Sequence, residues 1–253
     1  MKSLTHYIQE KLIIKKSKAT NHKYFPQTKE ELQDIILKRI KEEGNEVNLN
    51  DIDVSNITDM SHLFSRNKTF NGDISYWDVS NVTSMSGMFF VCSKFNKDIS
   101  SWDVSKVTDM RDMFYGCESF NQNISTWDVS NVKDMNSMLY KCKAFNQDIS
   151  SWDVSSVNNM SYMFGKCNSF NGNISNWDVS NVKDMSSMFL SCEKFNQDIS
   201  NWDVSNVKYM YGMFCGCKSF NQDISSWDVS NVTDMKYMLD SCPIEEKYKP
   251  KFK

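Results

Sequence analysis

A block of 25 residues recurs seven times without slipping, from Phe70-Asn71-Gly72-Asp73-Ile74-Ser75-Tyr76-Trp77-Asp78-Val79-Ser80-Asn81-Val82 to Phe220-Asn221-Gln222-Asp223-Ile224-Ser225-Ser226-Trp227-Asp228-Val229-Ser230-Asn231-Val232. A strict period of this length specifies an array, because no single unit can enclose its own apolar residues and each must bury them against the next. All seven tryptophans (Trp77, Trp102, Trp127, Trp152, Trp177, Trp202, Trp227) hold one position of the block, and every methionine except Met1 holds one of two others. Such a repeat dictates how units stack and says little about what the stack holds.

In the block around Trp102 the apolar positions are Ile99, Trp102, Val104, Val107, Met110, Met113, Phe114, Cys117 and Phe120. Val107, Met110, Met113, Phe114 and Cys117 fall at helical spacing, with Ser105 upstream as an N-cap. Ile99-Ser100-Ser101-Trp102-Asp103-Val104 has the form of a short strand aimed inward. One strand and one helical turn per block predict an α/β solenoid, a leucine-rich-repeat-like stack of about eight 25-residue coils with a helical N-terminal cap. Parallel pairing of the strands, at a rise near 4.8 Å per coil, makes the stack roughly 40 Å long.

Three zones follow. Residues 1–44 do not repeat and form the cap: Thr28 and Glu31 make a capping box, Leu32, Ile35, Ile36 and Ile40 share one face, and Gly44 stops the helix. A shorter helix is expected around Leu4, Tyr7, Ile8 and Leu12. Residues 45–242 are the repeat region. Its first coil, residues 45–69, is degenerate, with Asn67 in place of the cysteine and Asn45 in place of the phenylalanine, as befits a coil with one open side. Residues 243–253 read as a charged tail.

Charge is uneven along the chain. Residues 1–41 carry ten Lys/Arg against four Asp/Glu and residues 247–253 add four Lys, which leaves 15 basic against 28 acidic residues between them. A body at 15 − 28 = −13 excludes a phosphate-binding surface along the array, so nucleic acid is not an expected partner. Seven of the eight cysteines share one repeat position in the apolar context Met-Phe-x-x-Cys, the eighth being Cys215. They read as a buried column of free thiols, and Cys215-Gly216-Cys217 lacks the second pair that a zinc site needs. The apolar run Leu12-Ile13-Ile14 is too short for a secretory signal, and nothing approaches the ~18 apolar residues of a membrane span. The first cysteine is Cys92, so no lipid-bearing N-terminal Cys is present, and the chain as it stands reads as cytoplasmic.

The order Ile-x-x-Trp-x-Val-x-x-Val-x-x-Met-x-x-Met-Phe-x-x-Cys, seen from Ile124 to Cys142 with Leu139 in place of Phe, resembles the BspA-like leucine-rich repeats. It is closer still to their 25- to 26-residue variant with Trp-Asp-Val-Ser-Asn-Val, known from mycoplasma and other bacterial surface lipoproteins and a domain of unknown function. The resemblance covers residues 45–242. It implies a non-catalytic scaffold used for adhesion or protein binding and placed on a cell surface or virion.

The repeated polar residues form columns of their own. Asp78, Asp103, Asp128, Asp153, Asp178, Asp203 and Asp228 would repel one another unless each accepts backbone N–H groups of its own Asp-Val-Ser turn; bound calcium is the alternative. Asn71, Asn96, Asn121, Asn146, Asn171, Asn196 and Asn221 are read as an amide ladder beside the phenylalanines, with glycan binding as a weaker alternative. The tryptophan column is assigned to the core. Catalysis is not expected: His6, His22 and His62 lie at or before the first coil, and no Ser or Cys has a nucleophile-elbow or phosphate-loop setting. No cofactor or metal is called for.

Binding belongs where blocks differ, since invariant positions are consumed by stacking. Phe90, Tyr115, Tyr140 and Leu190, just after the Met-Phe pair, are the candidates, forming an apolar stripe suited to protein contact. The expected function is a non-enzymatic scaffold for protein–protein interaction or adhesion, monomeric or weakly oligomeric. The alternative is a structural component of a phage particle or surface layer.

Overall fold

A computed structural model describes residues 21–251 of the chain. The short helix expected around Leu4–Leu12 lies outside the described residues.

Helix α1 spans Lys29–Glu43. Thr28 caps it by accepting the Glu31 N–H at 3.2 Å, while the Glu31 carboxylate accepts the Gln27 N–H at 2.6 Å, one residue before the cap. Gly44, at φ 87°, ends it with an N–H bond to the Ile40 carbonyl, a conformation that glycine enters without Cβ strain. Leu32 and Ile36 are buried and Ile35 and Ile40 pack beside them against the first coil. The charged side is tied down too: Arg39 reaches the Asp51 carboxylate at 2.8 Å and the Asn48 carbonyl at 3.0 Å, and also pairs with Glu43. Lys29 bonds Asp59 at 3.1 Å and Ser61 at 2.6 Å.

From Asn45 onward the backbone returns to the same register every 25 residues, and neighbouring blocks are hydrogen-bonded along their length. The local structure differs from the expectation of a strand plus a helical turn. Ile99–Val104 forms no strand, and Val107–Cys117 forms no helix. Instead the coil is a chain of tight turns, closed by Trp102 N–H to Ile99 O, Val107 to Val104, Met113 to Met110, Tyr115 to Asp112, Cys117 to Phe114 and Phe120 to Cys117. A three-residue turn places i and i+3 on one side, as a helix does, so apolar spacing alone does not separate the two.

Pairing between coils is parallel but sits elsewhere than at the expected strand. Single bridges link Asp59, Ser84, Asp109, Asp134, Asn159, Asp184, Tyr209 and Asp234 in succession. Alternate residues then carry the ladder on: the N–H groups of Met110, Asp112, Phe114 and Gly116 donate to the carbonyls of Asp134, Asn136, Met138 and Tyr140 at 2.7–3.1 Å. This segment, the turn ribbon, pairs like a strand because two residues in each coil, such as Asp112 and Gly116, adopt positive φ. Twelve non-glycine residues occupy such positions at φ 53–66°. A right-handed helix cannot pass through them.

The core runs unbroken through the stack. Phe70, Phe95, Phe120, Phe145, Phe170, Phe195 and Phe220 are fully buried and stack with centroids 5.9–6.1 Å apart. Both methionine columns of the internal coils are buried with them. The six cysteines Cys92, Cys117, Cys142, Cys167, Cys192 and Cys217 are buried as free thiols, and Cys117 donates to the Phe89 carbonyl at 3.1 Å. Burial pushes the Cys92 thiol up to about 12 and Cys117 well above its usual value, which keeps both protonated and unreactive. In the degenerate coil the two polar replacements satisfy each other, Asn67 Nδ2 donating to Asn45 Oδ1 at 2.6 Å.

Residues 243–251 are not a free charged tail. Ile244 is buried, Tyr248 packs on the core, and the Ile224 N–H donates to the Tyr248 carbonyl at 2.9 Å. A short 3₁₀ turn, Glu246–Tyr248, folds this segment over part of the last coil.

Candidate binding face

The invariant tryptophan and asparagine columns are spent on the stack, and the aspartates on their own turns. Each Trp indole is buried, and its Nε1–H donates to the carbonyl 28 residues earlier, of Leu49 for Trp77 and of an Ile for the other six, as Trp102 does to Ile74 at 3.2 Å. Along the asparagine column each Oδ1 accepts the backbone N–H of the next Asn at 2.9–3.0 Å, from Asn71 to Asn96 through Asn196 to Asn221. Glu245 extends the row by donating its N–H to Asn221 Oδ1 at 2.9 Å. Gln122, Gln147 and Gln222 add second donors to three of these oxygens, so the column's acceptors face the next coil rather than a ligand. The aspartates Asp78, Asp103, Asp128, Asp153, Asp178, Asp203 and Asp228 are exposed, and each Oδ1 accepts the N–H of the Ser two residues on, at 3.0–3.2 Å. For Asp153 and Asp203 the Ser hydroxyl and N–H bonds hold the carboxyl below its usual range. Among the described residues no three Asp, Glu, His or Cys side chains converge on a metal position.

The sequence varies on the turn ribbon. Register positions that read Asp109, Arg111, Asp112 and Tyr115 in one coil read Tyr209, Tyr211, Gly212 and Cys215 four coils later. Six of the ten tyrosines lie here: Tyr115, Tyr140, Tyr162, Tyr209, Tyr211 and Tyr237. The blocks are also recognisable as a family. Residues 34–152 and again 135–249 match the family described as Mycoplasma protein of unknown function, DUF285. The chain belongs to the DUF285 family. No curated protein and no solved structure matches it.

On this DUF285 face the expected stripe is half-buried rather than exposed. Phe90, Tyr115 and Tyr140 spend their ring faces on one another, with centroids 4.7 Å and 4.8 Å apart, and Leu190 is likewise half-covered. Tyr140 then folds over Gly165, where an added Cβ would stand 2.7 Å from its ring, and meets the edge of Tyr162. Lys141 and Lys166 lie over the Tyr140 ring at 5.6 Å and 5.9 Å. The aromatic surface that solvent reaches is provided by residues outside that stripe: Tyr162, Tyr209, Tyr211 and Tyr237 are 37%, 45%, 40% and 61% exposed. Their signal in the sequence is a tyrosine at a register position that other blocks fill with polar residues or Gly.

The ribbon is electrostatically mixed. Arg111 pairs with Asp109 at 2.6 Å beside Asp112 and Asp134, whose carboxyls burial pushes above their ordinary value. Positive φ at Val91, Lys141, Tyr162, Lys166 and Tyr237 costs of the order of 1–2 kcal/mol per residue. Glycine would relieve that cost, yet at these places the chain carries side chains. No helix among the described residues is long and apolar enough to cross a membrane.

Proposed function

We propose that the chain is a non-enzymatic solenoid scaffold whose turn ribbon binds a polypeptide. One observation carries this reading: block-to-block variation, exposed tyrosines and strained side-chain-bearing positions coincide on one face, while the invariant residues build the core, the inter-coil ladders and, for the aspartates, their own turns. Tyr, Ser, Gly and Asn are the residue types by which protein-binding surfaces combine rigid aromatic contact area with adaptable hydrogen bonding. The strain supports the same reading, since side chains held in left-handed backbone are costly to keep without a use. The BspA-like character and the adhesive role that the repeat pattern implies are part of this proposal.

Capture experiments test it. Replacing Tyr162, Tyr211 and Tyr237 together with Ala is expected to abolish capture of the partner with no change in melting temperature, whereas Asp153→Ala, in the exposed aspartate column, leaves capture intact. Undiminished capture by the triple variant would remove the ribbon from the interface.

A further inference from the structure

Lys183 and Lys208, in neighbouring coils, share one cleft. This cleft of about 420 Å³ opens across three successive coils and is lined by Lys183, Lys208, Tyr209, Asn206, Asn231 and Thr233. At two other places a lysine is neutralised across one coil: Lys143 meets Glu118 at 2.9 Å and Lys218 meets Glu193 at 2.6 Å. Among the described residues Lys183 and Lys208 form no such pair, although they occupy the same register position in adjacent coils and repel one another. The acids at the adjoining register position bond backbone in their own coils. Asp184 and Asp234 turn an oxygen back onto the N–H groups of Ser186 and Lys236, at 2.8 Å and 3.1 Å.

The remaining lining groups narrow the ligand. Asn206 and Asn231 each spend one Nδ2 N–H on the carbonyls of Ser180 and Ser205, at 2.9 Å and 2.7 Å, and Thr233 Oγ1 donates to the Lys208 carbonyl. What they leave is acceptor oxygen and one amide N–H apiece. The cleft thus combines two ammonium groups, amide acceptors and a tyrosine that is 45% exposed, with Tyr211 and Tyr237 in edge contact close by. Carboxylates suit the ammonium groups and peptide N–H groups suit the amide oxygens.

We propose that this cleft binds an acidic polypeptide segment, with Lys183 and Lys208 engaging carboxylates of Asp or Glu side chains and Tyr209 packing against their stems. The proposal rests on the binding role assigned to the ribbon and names the chemistry of its partner. Charge pairing of this kind weakens as salt rises.

Fluorescence anisotropy of a labelled oligoglutamate peptide with the full chain tests the assignment, alongside an oligouronate of matched charge. Oligoglutamate is expected to bind, to bind about tenfold more weakly to K183E/K208E, and to be unaffected by K133E, which reverses a lysine in the same column outside the cleft. Three results would overturn the proposal: no oligoglutamate binding, equal loss in K133E, or tighter binding of the oligouronate. Since these side chains are exposed, an unchanged melting temperature confirms that each variant is folded. Loss of partner capture in the tyrosine variant together with no oligoglutamate binding would refute the cleft while leaving the ribbon as the interface.

Discussion

Trp152 is fixed twice over: its indole stacks on Trp177 with centroids 6.3 Å apart, and Nε1 donates to the Ile124 carbonyl at 3.0 Å. Trp152→Ala removes the ring from a central coil and leaves that carbonyl without its donor. A loss of about 3–5 kcal/mol in denaturant unfolding is expected, and a loss below about 1 kcal/mol would put the tryptophan column outside the core. Asp134 behaves oppositely. Burial raises its carboxyl above the ordinary 3.8, so the folded state holds the proton more tightly than the unfolded chain does. The resulting stabilisation is present below the unfolded value and is lost as pH rises through the folded one, which makes the ionised group a cost at neutral pH. Asn159 fills the same register position one coil later and accepts the Ser161 N–H at 3.0 Å, as Asp134 accepts that of Asn136 at 2.8 Å. Asp134→Asn should therefore raise the melting temperature at pH 7, with the gain vanishing below about pH 4.

At the scale of the element, α1 was legible because its signals are local: Thr28, Glu31 and Gly44 sit where a cap and a stop require them, and the apolar face is continuous. The turn ribbon was not. Val107, Met110, Met113 and Phe114 are spaced as a helix would space them, and what separates the ribbon from a helix is the sign of φ at positions such as Asp112. Glycine would have advertised those positions, but twelve of them carry other residues. The last segment escaped notice for another reason: Ile244, Tyr248 and Pro250 are too few to show a period, although Ile244 and Pro250 are buried. The cysteine column gives this level its test. Native thiol labelling should reach only Cys215 and Cys242, which are half-buried, and the other six only on unfolding. Rapid labelling of Cys117 or Cys142 would show that the columns do not stack as described.

For the whole molecule, the repeat made the stacking legible and hid the site. A block that returns every 25 residues points to its invariant positions, and apart from the exposed aspartates, which close their own turns, those disappear into the core and the inter-coil ladders. Phe90, Tyr115 and Tyr140 were recognisable as departures from the block, but their mutual stacking follows from the ribbon's geometry and not from their identity. Tyr209 and Lys208 adjoin in sequence, yet their alignment with Lys183 and Asn231 exists only across three coils. The central claim is that invariant residues build the stack and the variable ribbon meets the partner. Site-specific photo-crosslinking in the cells that make the chain tests it most directly, with the crosslinking residue placed at Tyr162 on the ribbon or at Asp153 on the exposed aspartate column. A discrete polypeptide adduct from position 162 and none from 153 is the predicted result; an adduct from 153 with none from 162 would contradict the account.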